Sequence, residues 1–431
     1  MRKSILLLFF LSFCNPVPSE KDIKSAKSKT HTLPVFSITI DEKYLYSADS
    51  GLFVKGTNGT IGPHGDTANY YQEWEFPCLA TFHLSNDTIF SHQVGFRIKG
   101  NSSRNKPNKS IGLYWRQDYG HYSLKYKLFE DRDTFEFKRL KLRSGGSDQT
   151  ATILNDLILS RWIQNKTHVP VLAGRPVVLY INNEYWGLYN LRELFSIQYF
   201  ETYYSANKNF VNILFGSPEL PGVEEGERET FMQEVLAFFK NNDLALTENY
   251  QIATTLLDID NFVDYFIIET YMANWDWPAN NMLRWRDETT INNQKWRFAL
   301  SDLDAAFIKH RVNYLWLGEF YESAEDRIEF YQGGFFIFDQ LMKNKEFRIR
   351  FFERYLYFID EVFTTPHLTA IIDELVNEIY DEYPAHQERW PYYNSQQIWY
   401  SDVMGMKTFQ SERKKWIRPL IAQWLNEAKS E

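Results

Sequence analysis

The chain has 431 residues, 44% of them hydrophobic and 24% charged, which is too long for one small domain and enough to bury a large core. Its net charge of −9, with Lys and Arg scattered rather than clustered, argues against nucleic acid or an anionic membrane surface as the main partner. Aromatic residues reach 17%, which suits either an aromatic-lined groove or a bulky core.

The chain opens with Arg2 and Lys3, then an apolar run from Ile5 to Phe13, then Cys14. A short basic region before a short apolar one predicts a secretory signal over residues 1–14, too short to span a bilayer. Cys14 stands where a bacterial lipoprotein is cleaved and lipidated, although Phe13 is bulkier than the residue usual before such a cysteine. The expected location is therefore outside the cytoplasm, in the cell envelope or beyond it, with a lipid on Cys14 the one expected membrane attachment. Cys78 is the only other cysteine, so a mature exported chain has no internal disulfide.

Residues 15–33 are polar, with Pro, Ser and Lys, and read as a linker. Residues 34–90 form a β-rich N-terminal extension, in which KGTNGTIGPHGD is a long glycine loop. A main domain over 91–431 divides into a sheet-rich part (91–228) and a helical part (229–431). In the first part GFRIKG, SIGLYWRQ, FKRLKLRS, PVVLYINNEYWGLYNL and NILF read as strands, with a hairpin turn inside YINNEYWGLY. Between them TATILNDLILSRWI has helical spacing, placing Ile153, Leu157, Ile158 and Trp162 on one side. The second part carries four helical patterns, and Asp258 and Asp260 mark the start of the second. The expected fold is α+β with two lobes and a cleft.

Chemistry concentrates in NWDWPANNMLRW, where Asp276 sits among Trp275, Trp277 and Trp285 and is spaced D-x-x-x-x-N from Asn281. Further on, Asp302 opens DLD at the end of the apolar strand pattern KWRFAL. A kinase needs this trio: one carboxylate to take the acceptor hydroxyl's proton, and an amide and a second carboxylate for the metal on the nucleotide phosphates. Oxygen ligands suit Mg²⁺ or Mn²⁺. Each piece has an ordinary reading too, since D-x-D recurs at Asp131/Asp133 and Asp258/Asp260, and asparagines after Pro278 form turns. Upstream, GFRIKGNSSRNKPNKSIGLYW offers Ser103, Arg104 and Lys109 for phosphates, in neither a Walker A nor a G-x-G-x-x-G pattern. There is no H-E-x-x-H and no G-x-S-x-G, which disfavours a zinc protease and a serine hydrolase. Paired acids with many tryptophans leave a glycosidase open, and D-x-D a nucleotide-sugar transferase.

GNSSRNKPNKSIGLYWR, FKRLKLRSGGSDQTATILNDLI, LYINNEYWGLYNLRE, DIDNFVDYFI, NWDWPANNM and KWRFALSDLDAAF follow one another as in the spore coat protein H (CotH) kinase-like family, which the chain resembles from about Trp74 to the C-terminal helices. The resemblance implies an atypical protein-kinase-like two-lobed fold, with ATP and a divalent cation used to phosphorylate serine or threonine of a protein. Carried onto this sequence, it makes Asp276 the catalytic aspartate, and gives the metal to Asn281, Asp302 and its companion Asp304. It makes Lys109 the phosphate-binding lysine, assisted by Arg104. Asp148 or Asp156 becomes the acid that positions that lysine, and Glu193 falls near the lobe junction. The chain departs from the family's pattern at Ile308, where glycine is common, and in the long polar segment RDETTINNQK. Two alternatives stand beside the kinase: a weakly active or inactive surface protein acting in adhesion or binding, and a carbohydrate-active enzyme.

Overall fold

The computed structural model describes residues 31–85, 87–215, 228–278, 281–289, 294–307 and 334–431. The expected signal, Cys14, most of the 15–33 linker and Ile308 lie outside the described residues.

Seven strands close into a barrel: β1 (Val35–Thr39), β2 (Phe76–Leu84), β3 (Asp87–Lys99), β4 (Ser110–Tyr114), β5 (Arg139–Arg143), β6 (Gly174–Ile181) and β7 (Glu184–Arg192). Around the barrel the order is β1-β6-β7-β5-β4-β3-β2, with β2 returning to β1. Only β1 and β6 run parallel, with Val35 opposite Val178; the other pairings are antiparallel. Closure leaves no free sheet edge. The 90/91 boundary expected from sequence falls inside β3, and β1 and β2 share this barrel with strands from the region after it.

Alternation fills the barrel. In β5, Leu140 and Leu142 are fully buried inside, so Lys141 and Arg143 take the outer face. Leu191 lies opposite Leu142, and Arg192 lies opposite Lys141, so Arg192 also belongs to the outer face. The β6–β7 turn is the expected hairpin, and it has two residues, with both Asn182 (φ 50°) and Asn183 (φ 66°) in the left-handed region that asparagine tolerates.

The helices that bear on the site and its support are α1 (Asn155–Ile163), α2 (Ile197–Tyr204), α3 (Ile259–Met272), α4 (Lys345–Tyr357), α5 (Thr365–Ile379), α6 (Tyr383–Arg389) and α7 (Gln396–Ser430). Leu157, Ile158 and Trp162 of α1 are buried as their spacing predicts. Asp258 caps α3, accepting from the Asn261 N–H at 3.1 Å, and Asp260 follows in its first turn. The helical pattern that begins at GGFFIFDQLMKNKEF, one of the four in the second part, is divided in two, because Asn344 accepts from the Phe347 N–H and starts α4 anew. A second sheet, β8 (Val211–Phe215), β9 (Met282–Asp287) and β10 (Arg297–Leu300), is antiparallel and packs on α3. The architecture is α+β. No helix of the described residues is long and apolar enough to cross a membrane.

The 35-residue α7 fixes the end of α3. Arg413, fully buried, donates from Nε to Tyr271 O at 2.9 Å and from Nη2 to Thr270 O at 2.5 Å. These are last-turn carbonyls of α3 that have no partner within the helix, so the C-terminal helix sets where the next loop begins.

Candidate active site

Two loops meet here. The first leaves α3 at Ala273, whose left-handed backbone (φ 52°) stops the helix. Trp277 is its anchor: 1% exposed, it donates from Nε1 to Tyr265 OH at 2.9 Å and packs edge-on to Phe266. Trp285, also buried, stacks on Phe200 in a separate cluster, whereas Trp275 is 55% exposed. Two of the three tryptophans therefore fasten the stretch to the core and one faces outward. Asp276 is half-buried and accepts from Asn281 Nδ2 at 2.9 Å, closing the D-x-x-x-x-N stretch on itself.

The second loop follows β10. Asp302 is in the left-handed region (φ 63°), and a single 3-10 turn, Leu303–Ala305, follows it. Main-chain bonds tie the loops together, from Phe307 N to Met272 O at 2.8 Å and from Trp275 N to Ala305 O at 3.4 Å. The start of α1 holds the second loop from the other side. Asn155 Nδ2 donates to Ala306 O at 2.8 Å, and Asp156 Oδ1 accepts from the Leu303 N–H at 3.1 Å.

Arg143 organises the acids. Its Nη2 donates to Asp304 Oδ2 at 2.6 Å and also to Asp302 Oδ1, and its Nε lies 3.7 Å from Asp156. Arg192 Nη2 pairs with Asp156 at 3.1 Å. Burial raises the Asp302 carboxyl, but the charges of Arg143 and Lys141 outweigh it and hold that carboxyl below the usual range. Asp156 is likewise held low by Arg192 and Arg143 against its burial. Asp304 goes the other way: burial and the neighbouring Asp302 charge push it well above the usual range. The serine–glycine turn of RSGGSDQ is shaped around it. Ser147 N donates to Asp304 Oδ2 at 2.8 Å. A Cβ on Gly146 would come within 2.1 Å of the same oxygen, at φ 63°.

Beneath the first loop lies Glu269, fully buried in the last turn of α3, with Oε2 accepting from Asn274 Nδ2 at 2.9 Å. Burial, together with the charges of Asp276 and Asp302, pushes its carboxyl up to about 8. Both loops' acids are thus felt at one buried point.

Of the residues singled out from sequence, Asp156, Asp302 and Asp304 converge on Arg143, and Asp276 pairs with Asn281. Others lie elsewhere. Asp148 accepts from the N–H groups of Thr152 and Asn155 at 2.9 and 3.0 Å and shapes the turn into α1; burial pushes it up to about 6. Glu193 accepts from Ala173 N at 2.9 Å and Tyr203 OH at 2.6 Å, beside Arg132. Ser103 belongs to the 3-10 turn Ser102–Asn105, and Arg104 donates to Tyr71 O at 3.0 Å and pairs with Glu73.

Lys109 is 2% exposed, donates to Lys106 O at 2.8 Å and to Arg104 O, and stands 4.1 Å over the Tyr70 ring and 5.9 Å from Phe53. Among the described residues no carboxylate pairs with it, and burial pushes its ammonium down to about 7. Lys109 and Arg104 therefore fasten the 42–75 segment to the barrel. The Lys109→Ala change is expected to cost about 1–3 kcal/mol, through a lost cation–π contact and two lost hydrogen bonds. Urea unfolding and amide exchange around Phe53 and Tyr70 measure it, and unchanged exchange there would refute the clasp.

Sequence reading passed over Arg143, Arg192, Asn155 and Glu269. The available signal for two of them was alternation, which puts Arg143 on the face opposite Leu142, and Arg192 opposite Lys141.

Among the described residues no three His, Cys, Asp or Glu side chains form a cluster that could hold a metal ion. The donors that fit a hard cation by chemistry are Asp302, whose side chain is 34% exposed, and the Asn281 carbonyl oxygen, its amide nitrogen being spent on Asp276. Asp304 fits less well, since Arg143 and the Ser147 N–H engage its buried oxygen.

A mixed fold with two acid-bearing loops against a cationic sheet face is the class this geometry defines. Residues 96–417 match the family model described as CotH kinase protein. The match covers well over half of the chain, which belongs to the CotH kinase family and is thereby kinase-like. No curated protein matches it.

Proposed function

We propose that this protein is an exported kinase that transfers the γ-phosphoryl group of ATP to a serine or threonine hydroxyl of a protein, in a two-lobed kinase-like arrangement. The observation that carries the reading is the meeting of the Asp276 and Asp302 loops against an outer barrel face bearing Arg143, Lys141 and Arg192. Such a face suits a polyanion, and the acid loops suit a hydroxyl that must lose a proton. Asp276 accepts the proton of the acceptor hydroxyl and orients its oxygen for in-line attack on the γ-phosphorus, while the bond from phosphorus to the β-γ bridging oxygen breaks. Asn281 keeps Asp276 in place through its amide. Arg143 and Asp156 hold the Asp302 loop in register with the Asp276 loop. Mg²⁺ or Mn²⁺, taken by Asp302 and Asn281, would supply positive charge to the phosphate oxygens.

A transfer assay with γ-labelled ATP, run with Mg²⁺ and Mn²⁺ in parallel, tests this. Asp276→Asn is expected to lower transfer about 10²–10⁴-fold, and Asp302→Asn to remove it. Label that persists equally in both variants would exclude the site. The engagement of both Asp302 and Asp304 by Arg143 favours a second reading, a surface module that binds without turnover. ATP binding with no label from the wild type would select that reading, and a change in polysaccharide reducing ends would select a carbohydrate-active enzyme.

A further inference from the structure

The outer face of the barrel carries more cations than its acids use. Arg143 and Arg192 pair with Asp302, Asp304 and Asp156, and Arg97 pairs with Glu73. Lys141 and Lys99 differ: among the described residues neither has a carboxylate within ion-pair distance or a side-chain hydrogen bond. Lys141 lies opposite Arg192 on one side and opposite Gly112 on the other. Gly112 has no side chain, and its outward side is taken by neighbours: a Cβ there would stand 2.9 Å from Tyr114 Cε2 and 3.0 and 3.2 Å from Cγ and Cδ of Lys99. The Lys99 stem therefore crosses the glycine toward Lys141. Lys141 lies within electrostatic reach of Lys99, Arg143, Asp302 and Asp156, and burial pushes its ammonium down to about 8.

Two neighbouring ammonium groups with no carboxylate at ion-pair distance among the described residues repel each other, and Asp302, within electrostatic reach of Lys141, offsets only part of this. An anion of several charges, held by both ammonium groups, would relieve both. We infer that Lys141 and Lys99 form the seat for the triphosphate of the nucleotide, rather than the lysine of the P-x-K-S element, Lys109, which the Tyr70 and Phe53 rings enclose. The inference rests on the kinase reading for the identity of the anion, but not for the existence of the seat. The same chemistry fits a free polyphosphate, so the test carries both ligands. Gly112 is the geometric element of the seat, because any side chain there would displace the Tyr114 ring and the Lys99 stem.

The experiment titrates the full chain with ATP, AMP and inorganic tripolyphosphate by calorimetry, for wild type, Lys141→Met, Lys141→Arg, Lys99→Met and the exposed control Lys125→Met. Loss of one charge-assisted contact is expected to weaken ATP and tripolyphosphate about tenfold or more in Lys141→Met and Lys99→Met. AMP is expected to change less, and Lys141→Arg to keep most of the affinity. The arginine variant guards against a misfolded methionine variant. Wild-type affinity in both methionine variants, with ATP bound by all, would overturn the seat and leave the kinase reading standing. Tripolyphosphate binding that depends on both lysines, without ATP binding, would support the seat and sink the nucleotide. Binding of neither ligand by the wild type would overturn both.

Discussion

Arg143→Met is expected to destabilise the protein by about 3–5 kcal/mol at neutral pH, the usual cost of removing one partner from a buried ion pair. Arg143 is 6% exposed and donates through Nη2 to both Asp302 and Asp304, with Asp156 at 3.7 Å from its Nε. Methionine fills much of the volume, so the loss is electrostatic and not a cavity. The pH dependence identifies it. Arg143 holds the Asp302 and Asp156 carboxyls below their ordinary values. A depressed carboxyl stabilises the fold above its unfolded pKa of about 4 and loses that contribution as pH falls further. The deficit of the variant should therefore be full at pH 7 and shrink below pH of about 4. Asp304, pushed up by burial, has the opposite sense, so its share does not produce that acid-side recovery. The conservative change Arg143→Lys recovers only part, because an ammonium cannot present the planar fork that spans these acids. Urea midpoints at several pH values measure all of this. A methionine variant as stable as wild type would show that Arg143 does not organise the loops.

That residue also shows where sequence stops being informative. Local signals were legible. Asp258 as a helix cap, Asn182 and Asn183 as a hairpin turn, and the strand alternation of FKRLKLRS each follow from a few neighbouring residues. The order of Asp276, Asn281 and Asp302 was legible as well, since spacing and residue chemistry sufficed to single them out. Barrel closure was not. The parallel pairing of Val35 with Val178 joins segments far apart in the chain, and no periodicity within either segment encodes it. For the same reason the surroundings of Lys109 were not legible. Its motif is local, but the rings of Tyr70 and Phe53 that enclose it come from a segment that folds back over the barrel. Arg192 and Glu193 are adjacent in sequence yet serve different clusters, because Arg192 ends β7 and Glu193 begins the loop that follows it.

The second large effect concerns Glu269, where Gln should make the protein more stable than wild type in alkali. Glu269 is fully buried, accepts from Asn274 Nδ2, and has no partner for Oε1 among the described residues. Burial first, and then the charges of Asp276 and Asp302, raise its carboxyl from 4.5 to about 8. Between those values the folded protein holds a proton that the unfolded chain has lost. Its contribution is thus complete below the lower value and is lost as pH rises through the upper one. Wild-type stability should fall across that interval by on the order of 5 kcal/mol from this group alone. Glu269→Gln keeps an oxygen for Asn274 and cannot ionise, so its advantage over wild type should grow from pH 5 to about 9 and then level off. Activity should respond in the same window. An ionised Glu269 adds a third negative charge beside Asp276 and Asp302, which on the proposed kinase reading would repel the phosphates of the nucleotide. The alkaline limb of the wild-type transfer profile should therefore move to higher pH in the Gln variant, with the rate near pH 6 unchanged. Parallel pH profiles of unfolding for the two proteins would contradict this assignment, and would mean that Glu269 is ionised in the fold and its charge balanced by groups outside this cluster.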